Sequence, residues 1–137
     1  MIRKSMYIDG GWKPARSGKL RDIINPYDGS TIAQVAEGAR EDAIDAIAAA
    51  RKAFDSGPWP QTTAVERVRL LFRLADLVAQ ENDDLARLES LDTGKTVTES
   101  RWDMDDIAGI FRYFAGLADK DGGEVITLGG GRSAARE

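Results

Sequence analysis

Neither cysteine nor histidine occurs anywhere in the chain. Without cysteine there is no disulfide scaffold, no thiolate nucleophile and no thiolate metal site. Without histidine the chain lacks the commonest metal ligand and the usual general base near neutral pH. No run of about 18 apolar residues is present, so no segment reads as a membrane span. The opening Met-Ile-Arg-Lys-Ser lacks the following apolar run of a signal peptide. Positive charge is scarce too: a net charge of -4 and a pI near 4.9 argue against a nucleic-acid surface. These absences suit a cytoplasmic location with neither nucleic acid nor membrane as partner.

What is present is enough for one domain: 137 residues, 42% of them hydrophobic. The chain is organised around Glu89-Ser90-Leu91-Asp92-Thr93-Gly94-Lys95, between two long helical patterns. Gly94 can take positive φ and so end a helix, and Thr96 with Glu99 has the spacing of a capping box for the next. A helix–turn–helix joint is expected there, with a carboxylate at its mouth.

Residues 6–37 read as short strands. Tyr7-Ile8 and Trp12-Lys13 flank Asp9-Gly10-Gly11, whose Asp-Gly step suits a tight hairpin turn. Leu20 to Ile24 follows, stopped by Asn25-Pro26, and Asp28-Gly29 turns the chain into a weakly patterned Thr31 to Val35. Residues 40–120 read as helical. Glu41 to Phe54 carries Ile44, Ile47, Ala48 and Phe54 on one broad face, with Ala39 at a poor cap position. Ser56-Gly57-Pro58-Trp59-Pro60 ends it, and Trp59 is expected to plug against a neighbouring helix. Thr63 and Glu66 form a capping box for a helix carrying Val68, Leu71, Leu74, Ala75 and Val78. Asn82-Asp83-Asp84 opens the helix that leads into the joint. Val97 to Ala118 is the longest pattern, in which Gly109 and Gly116 are expected to permit close packing. Residues 124–128 are a last strand candidate, and residues 129–137 are expected to form a flexible tail. The fold class is α+β: a small antiparallel strand region followed by packed helices.

Two features imitate cofactor sites. Gly129-Gly130-Gly131 has neither the helix of a dinucleotide fingerprint nor the lysine and hydroxyl residue of a phosphate loop after it. Asp103, Asp105 and Asp106 lack the ligand spacing of a calcium loop and read as a solvated helical face. No local pattern supplies an activated serine or lysine nucleophile. No catalytic or cofactor-binding residue is therefore assigned.

At Glu89-Ser90-Leu91-Asp92-Thr93-Gly94-Lys95 the sequence resembles the NAD(P)-dependent aldehyde dehydrogenase superfamily, particularly its betaine-aldehyde branch. The resemblance begins at Tyr7-Ile8-Asp9-Gly10-Gly11-Trp12 and runs through Ile24-Asn25-Pro26-Tyr27-Asp28-Gly29 and Ala53-Phe54. Trp59, Arg67 and Arg112-Tyr113-Phe114-Ala115-Gly116 follow in the expected order. It spans roughly residues 6–126 and implies the amino-terminal portion of a longer oxidoreductase, part of its coenzyme-binding half.

That resemblance implies a reaction in which a cysteine thiolate attacks an aldehyde, hydride passes to NAD or NADP, and the thioester is hydrolysed to a carboxylic acid. The cysteine and the general-base glutamate of the family lie later in the polypeptide, so this chain alone is expected to be non-catalytic and to bind no cofactor tightly. The resemblance also implies part of a potassium or sodium site, with Ile23 and Ile24 offering backbone oxygens and Asp92 a carboxylate. Hydrogen bonding of Asp92 within its own turn is the competing role. After Val125-Ile126 the family usually enters a hairpin used in subunit assembly, whereas here glycines follow. The expected partner is a missing carboxy-terminal portion, with self-association through exposed apolar faces. A complementing subunit of a split dehydrogenase and a non-enzymatic helical interaction module are the alternatives.

Overall fold

The computed structural model describes residues 2–120, 122–128 and 132–136. The chain opens with short strands β1 (Ile2–Lys4), β2 (Met6–Ile8), β3 (Gly11–Lys13), β4 (Leu20–Ile24) and β5 (Thr31–Ala36). Helices α1 (Arg40–Ser56), α2 (Ala64–Gln80), α3 (Asn82–Thr93) and α4 (Val97–Leu117) follow, with a 3₁₀ turn at Trp59–Gln61. Strands β6 (Glu124–Leu128) and β7 (Arg132–Arg136) close the described chain. This is the expected α+β arrangement.

The β2–β3 hairpin turns at Asp9 and Gly10, whose φ values of 54° and 75° are both positive. Two positive φ values in a two-residue loop match the right-handed twist of the flanking strands. The β4–β5 pair is antiparallel, also as expected. One pairing had no signal in the sequence: β1 lies parallel to β5, so the sheet order is β1-β5-β4 and weakly patterned β5 is its centre. Ala33 pairs with Ile2 on one side and Ile23 on the other. Two ladders, rather than strand propensity, hold this segment extended.

The tail expected at residues 129–137 is corrected in part. Residues 132–136 form β7, paired antiparallel to β6 from Glu124↔Arg136 to Leu128↔Arg132. Arg-Ser-Ala-Ala-Arg has little strand character of its own; β6 supplies an edge on which its backbone groups find partners. The remaining tail positions, 129–131 and 137, lie outside the described residues.

Helix boundaries follow their caps. At α2 the Thr63 hydroxyl oxygen accepts from the Glu66 N–H at 3.3 Å, and the Glu66 carboxylate accepts from the Thr63 N–H at 2.7 Å. Thr96 and Glu99 repeat the exchange at α4, each bond 3.3 Å long. At α1, Ala39 has no side chain to offer, and Asp42 does the capping instead. Its buried carboxylate accepts from the N–H groups of Ala39 at 2.9 Å and Arg16 at 3.1 Å, tying the preceding loop to the helix start.

Ala75 of α2, Ala86 of α3, and Met104, Ala108 and Ala115 of α4 are buried. Helices that meet at alanine approach closely, and α2 and α3 both pack on α4. Gly109 and Gly116 do not serve this approach: a Cβ at either would meet nothing within 4 Å among the described residues. They face open space, so the expected packing role is withdrawn. Much of the large apolar surface is uncovered. Ile47 and Phe54 of α1 are each 69% exposed, and Phe114 of α4 is 57% exposed. One layer of helices covers only the faces it turns inward; among the described residues these outward faces have no second layer.

Candidate functional site

The α3–α4 joint forms as its residues dictate. Gly94 takes φ 79°, and its N–H donates to the Ser90 carbonyl at 2.9 Å, ending α3. Thr93 closes the turn: its hydroxyl donates to the Glu89 carbonyl at 2.8 Å and accepts from the Lys95 N–H at 3.4 Å. The Asn25-Pro26 segment sits directly against the joint. A Cβ at Gly94 would lie 2.9 Å from Pro26 Cγ, so glycine is required by packing as well as by φ. The Pro26 ring is held by its own loop. Asn25, buried, accepts from the Tyr27 N–H at 2.9 Å through its side chain and from the Gly29 N–H at 2.9 Å through its carbonyl.

At the joint lies a small polar cluster that links α3 to α4. The Lys95 ammonium pairs with Asp103 and stands 3.8 Å from Glu89 Oε1, with both carboxylates partly covered. Ser90 and the fully buried Ser100 share a hydrogen bond of 3.0 Å. Glu89 Oε2 is buried with no hydrogen-bond partner among the described residues. A cleft of about 390 Å³ at the joint, sharing Ser90 and Lys95 with this cluster, is also lined by Asn25, Tyr27, Arg87 and Leu91, among others. Sequence pattern did not single out Arg87, because it does not show its neighbours until the Asn25–Tyr27 loop and α3 are brought together.

Of the candidate cation ligands, Ile23 is half-buried and Ile24 is exposed, with a register shift between them in the β4–β5 ladder. Such an irregularity disrupts regular ladder pairing locally. Asp92 is exposed on the last turn of α3 and is not a lining residue of the cleft. The structure therefore brings the Asn-Pro segment to the joint. Two carbonyls and a carboxylate suit a hard cation by donor type, but they make only part of a shell. Among the described residues no group of three or more His, Cys, Asp or Glu could hold a metal. Two of the α4 aspartates are engaged otherwise: Asp103 pairs with Lys95, and Asp105 accepts from Asn82 Nδ2 at 2.8 Å.

Trp59, expected as an apolar plug, is half-exposed and is held by α2 through a cation. The Arg67 guanidinium lies 5.2 Å from its ring centroid and donates to its carbonyl at 3.1 Å.

Comparison with known proteins decides the ancestry. Residues 12–136 match the aldehyde dehydrogenase family. The chain belongs to the aldehyde dehydrogenase family. Betaine aldehyde dehydrogenase of Bacillus subtilis (strain 168) is 54% identical over 126 residues, which cover 92% of this chain and 26% of that protein. The mitochondrial benzaldehyde dehydrogenase of Antirrhinum majus is 44% identical, covering 91% of this chain and 24% of its own length. The structure of Staphylococcus aureus betaine aldehyde dehydrogenase in complex with NAD+ superposes with a TM-score of 0.87 at 53% identity. It is matched over 92% of this chain and 25% of that one. The chain thus spans about a quarter of the length of these relatives, in their amino-terminal portion. Among the described residues no helix is long and apolar enough to cross a membrane.

Proposed function

We propose that this chain is the amino-terminal scaffold of an NAD(P)-dependent aldehyde dehydrogenase and does no chemistry alone. The observation that carries the proposal is the joint. The family match runs through it, yet the residues around it offer neither a nucleophile nor a dinucleotide cradle. Cysteine and histidine are absent from the whole chain. A bound nicotinamide cofactor would accept hydride from the substrate; nothing in this chain is assigned to hold it. What these residues do is positional. The Pro26–Gly94 contact ties the loop after β4 to the α3–α4 joint, the Lys95 cluster ties α3 to α4, and Asp42 ties the Arg16 loop to the start of α1, with apolar faces left for a further layer.

The partner proposed for those faces is the remaining dehydrogenase polypeptide, whether continuous with this one or a separate complementing subunit. Before that partner is present, the same faces favour self-association. Ile23, Ile24 and Asp92 are proposed as part of a potassium or sodium site whose other ligands come from the partner. A betaine-like aldehyde is the proposed substrate class, supported by the identity to the two bacterial enzymes, and a cytoplasmic location fits the reaction. The test is an aldehyde-oxidation assay of the purified chain with NAD and with NADP. No turnover is expected; clear turnover would overturn the scaffold assignment. A chain that stays monomeric and has no effect on the remaining polypeptide would favour an independent interaction module instead.

A further inference from the structure

We infer that the Asp9–Gly10 step is a site of spontaneous isoaspartate formation, chosen by the fold over the chemically equivalent Asp28–Gly29 step. Both steps lie within the described residues and both glycines have positive φ. Their surroundings differ at each of the two reacting groups. At the second step the Asp28 carboxylate accepts from the Ser30 N–H at 2.9 Å and the Ser30 hydroxyl at 2.6 Å. The attacking group is occupied as well, since the Gly29 N–H donates to the Asn25 carbonyl at 2.9 Å. The Ser30 hydroxyl, and then its N–H, hold the Asp28 carboxyl below the ordinary range, in the ionised form that is the poorer electrophile.

At the first step neither group is restrained in this way. Asp9 is exposed at the hairpin tip, and its contact among the described residues is an ion pair to Lys52 Nζ at 3.7 Å. Gly10 N–H has no hydrogen-bond partner among the described residues, and a Cβ at Gly10 would meet nothing within 4 Å. The strands on either side are three residues long, so the tip opens readily to the backbone angle that the reaction needs.

The chemistry balances without a co-reactant. The Gly10 amide nitrogen, losing its proton, attacks Asp9 Cγ; the new C–N bond closes a succinimide and one water leaves. Water then adds back at either ring carbonyl. Attack at the main-chain carbonyl leaves the backbone running through the Asp9 side chain, one methylene longer. A lengthened tip cannot keep the Ile8↔Gly11 register, and this hairpin borders the cleft of about 310 Å³ over Ala46, Ala49 and Ala53 of α1.

The experiment ages the purified chain at neutral pH and 37 °C and reads isoaspartate by tryptic peptide mapping with enzymatic methylation. Asp9 and Asp28 fall in different peptides, residues 5–16 and 22–40, and the Asp121–Gly122 step falls in a third. Isomerisation at Asp9 should be roughly tenfold or more faster than at Asp28, because three hydrogen bonds must break at the latter. In the urea-unfolded chain the two rates should converge. Ser30→Ala should raise the Asp28 rate and leave that of Asp9 unchanged. Equal rates in the folded chain, or no product at Asp9 over a period in which the unfolded chain isomerises there, would overturn the assignment.

Discussion

Substituting Gly94 tests the joint at its tightest contact. At φ 79° an L-residue pays about 1–2 kcal/mol of backbone strain. Its Cβ would lie 2.9 Å from Pro26 Cγ and 3.6 Å from Pro26 Cβ. The proline ring is not the free end of a flexible side chain, so overpacking adds about 1–3 kcal/mol more. Gly94→Ala should therefore cost about 2–5 kcal/mol in all. Two further variants separate the terms. Gly94→Asn tolerates positive φ but keeps the Cβ, so it should retain mainly the clash. Gly94→Ala in a Pro26→Ala background should retain mainly the strain, giving a coupling of about 1–3 kcal/mol between the sites. Urea unfolding followed by far-ultraviolet circular dichroism, at low protein concentration, measures the parent, these variants and Pro26→Ala alone. A Gly94→Ala chain within about 0.5 kcal/mol of the parent, or no relief from Pro26→Ala, would refute the packing account.

Thr63→Ala and Thr96→Ala each remove the acceptor of a helix-start N–H and should cost about 1 kcal/mol in thermal melts. The two losses should add, because they act on separate helix starts. Stability should also fall in acid. Backbone N–H groups of Ala39 and Arg16 hold Asp42 low; the Thr63 N–H and hydroxyl do the same for Glu66, and the Thr96 hydroxyl and N–H for Glu99. Since their folded values are depressed, this stabilisation is full above the unfolded values near pH 4 and is lost as pH falls toward the folded ones. Denaturation midpoints measured against pH should show that loss, and Asp42→Asn with Glu66→Gln and Glu99→Gln should flatten it. In a complex with the remaining dehydrogenase polypeptide, Asp92→Ala should raise the potassium concentration for half-maximal stabilisation. Asp105→Ala, whose carboxylate is engaged by Asn82, should leave it unchanged.

Local chemistry was legible where a few adjacent residues decide the outcome. The Asp9-Gly10 turn, the two threonine–glutamate capping boxes and the left-handed Gly94 are all of this kind. Long-range partners were not. Nothing in Ile2-Arg3-Lys4 or in Arg132-Ser133-Ala134-Ala135-Arg136 announces a strand, because each is held by the ladder of another. The Pro26–Gly94 contact appears only once the chain has folded back on itself. Apolar periodicity marked Ile47 and Phe54 as one face of α1, but periodicity does not say whether that face is covered. Family resemblance at the joint carried the functional assignment, and no catalytic residue within the chain did.

The most direct measurement is NADH production from an aldehyde after this chain is mixed with a separately produced polypeptide carrying the remaining three quarters of a betaine aldehyde dehydrogenase. The scaffold account predicts no turnover from either component alone and turnover from the mixture, eluting as one complex. Turnover by this chain alone, or a mixture that neither associates nor gains activity, would contradict it.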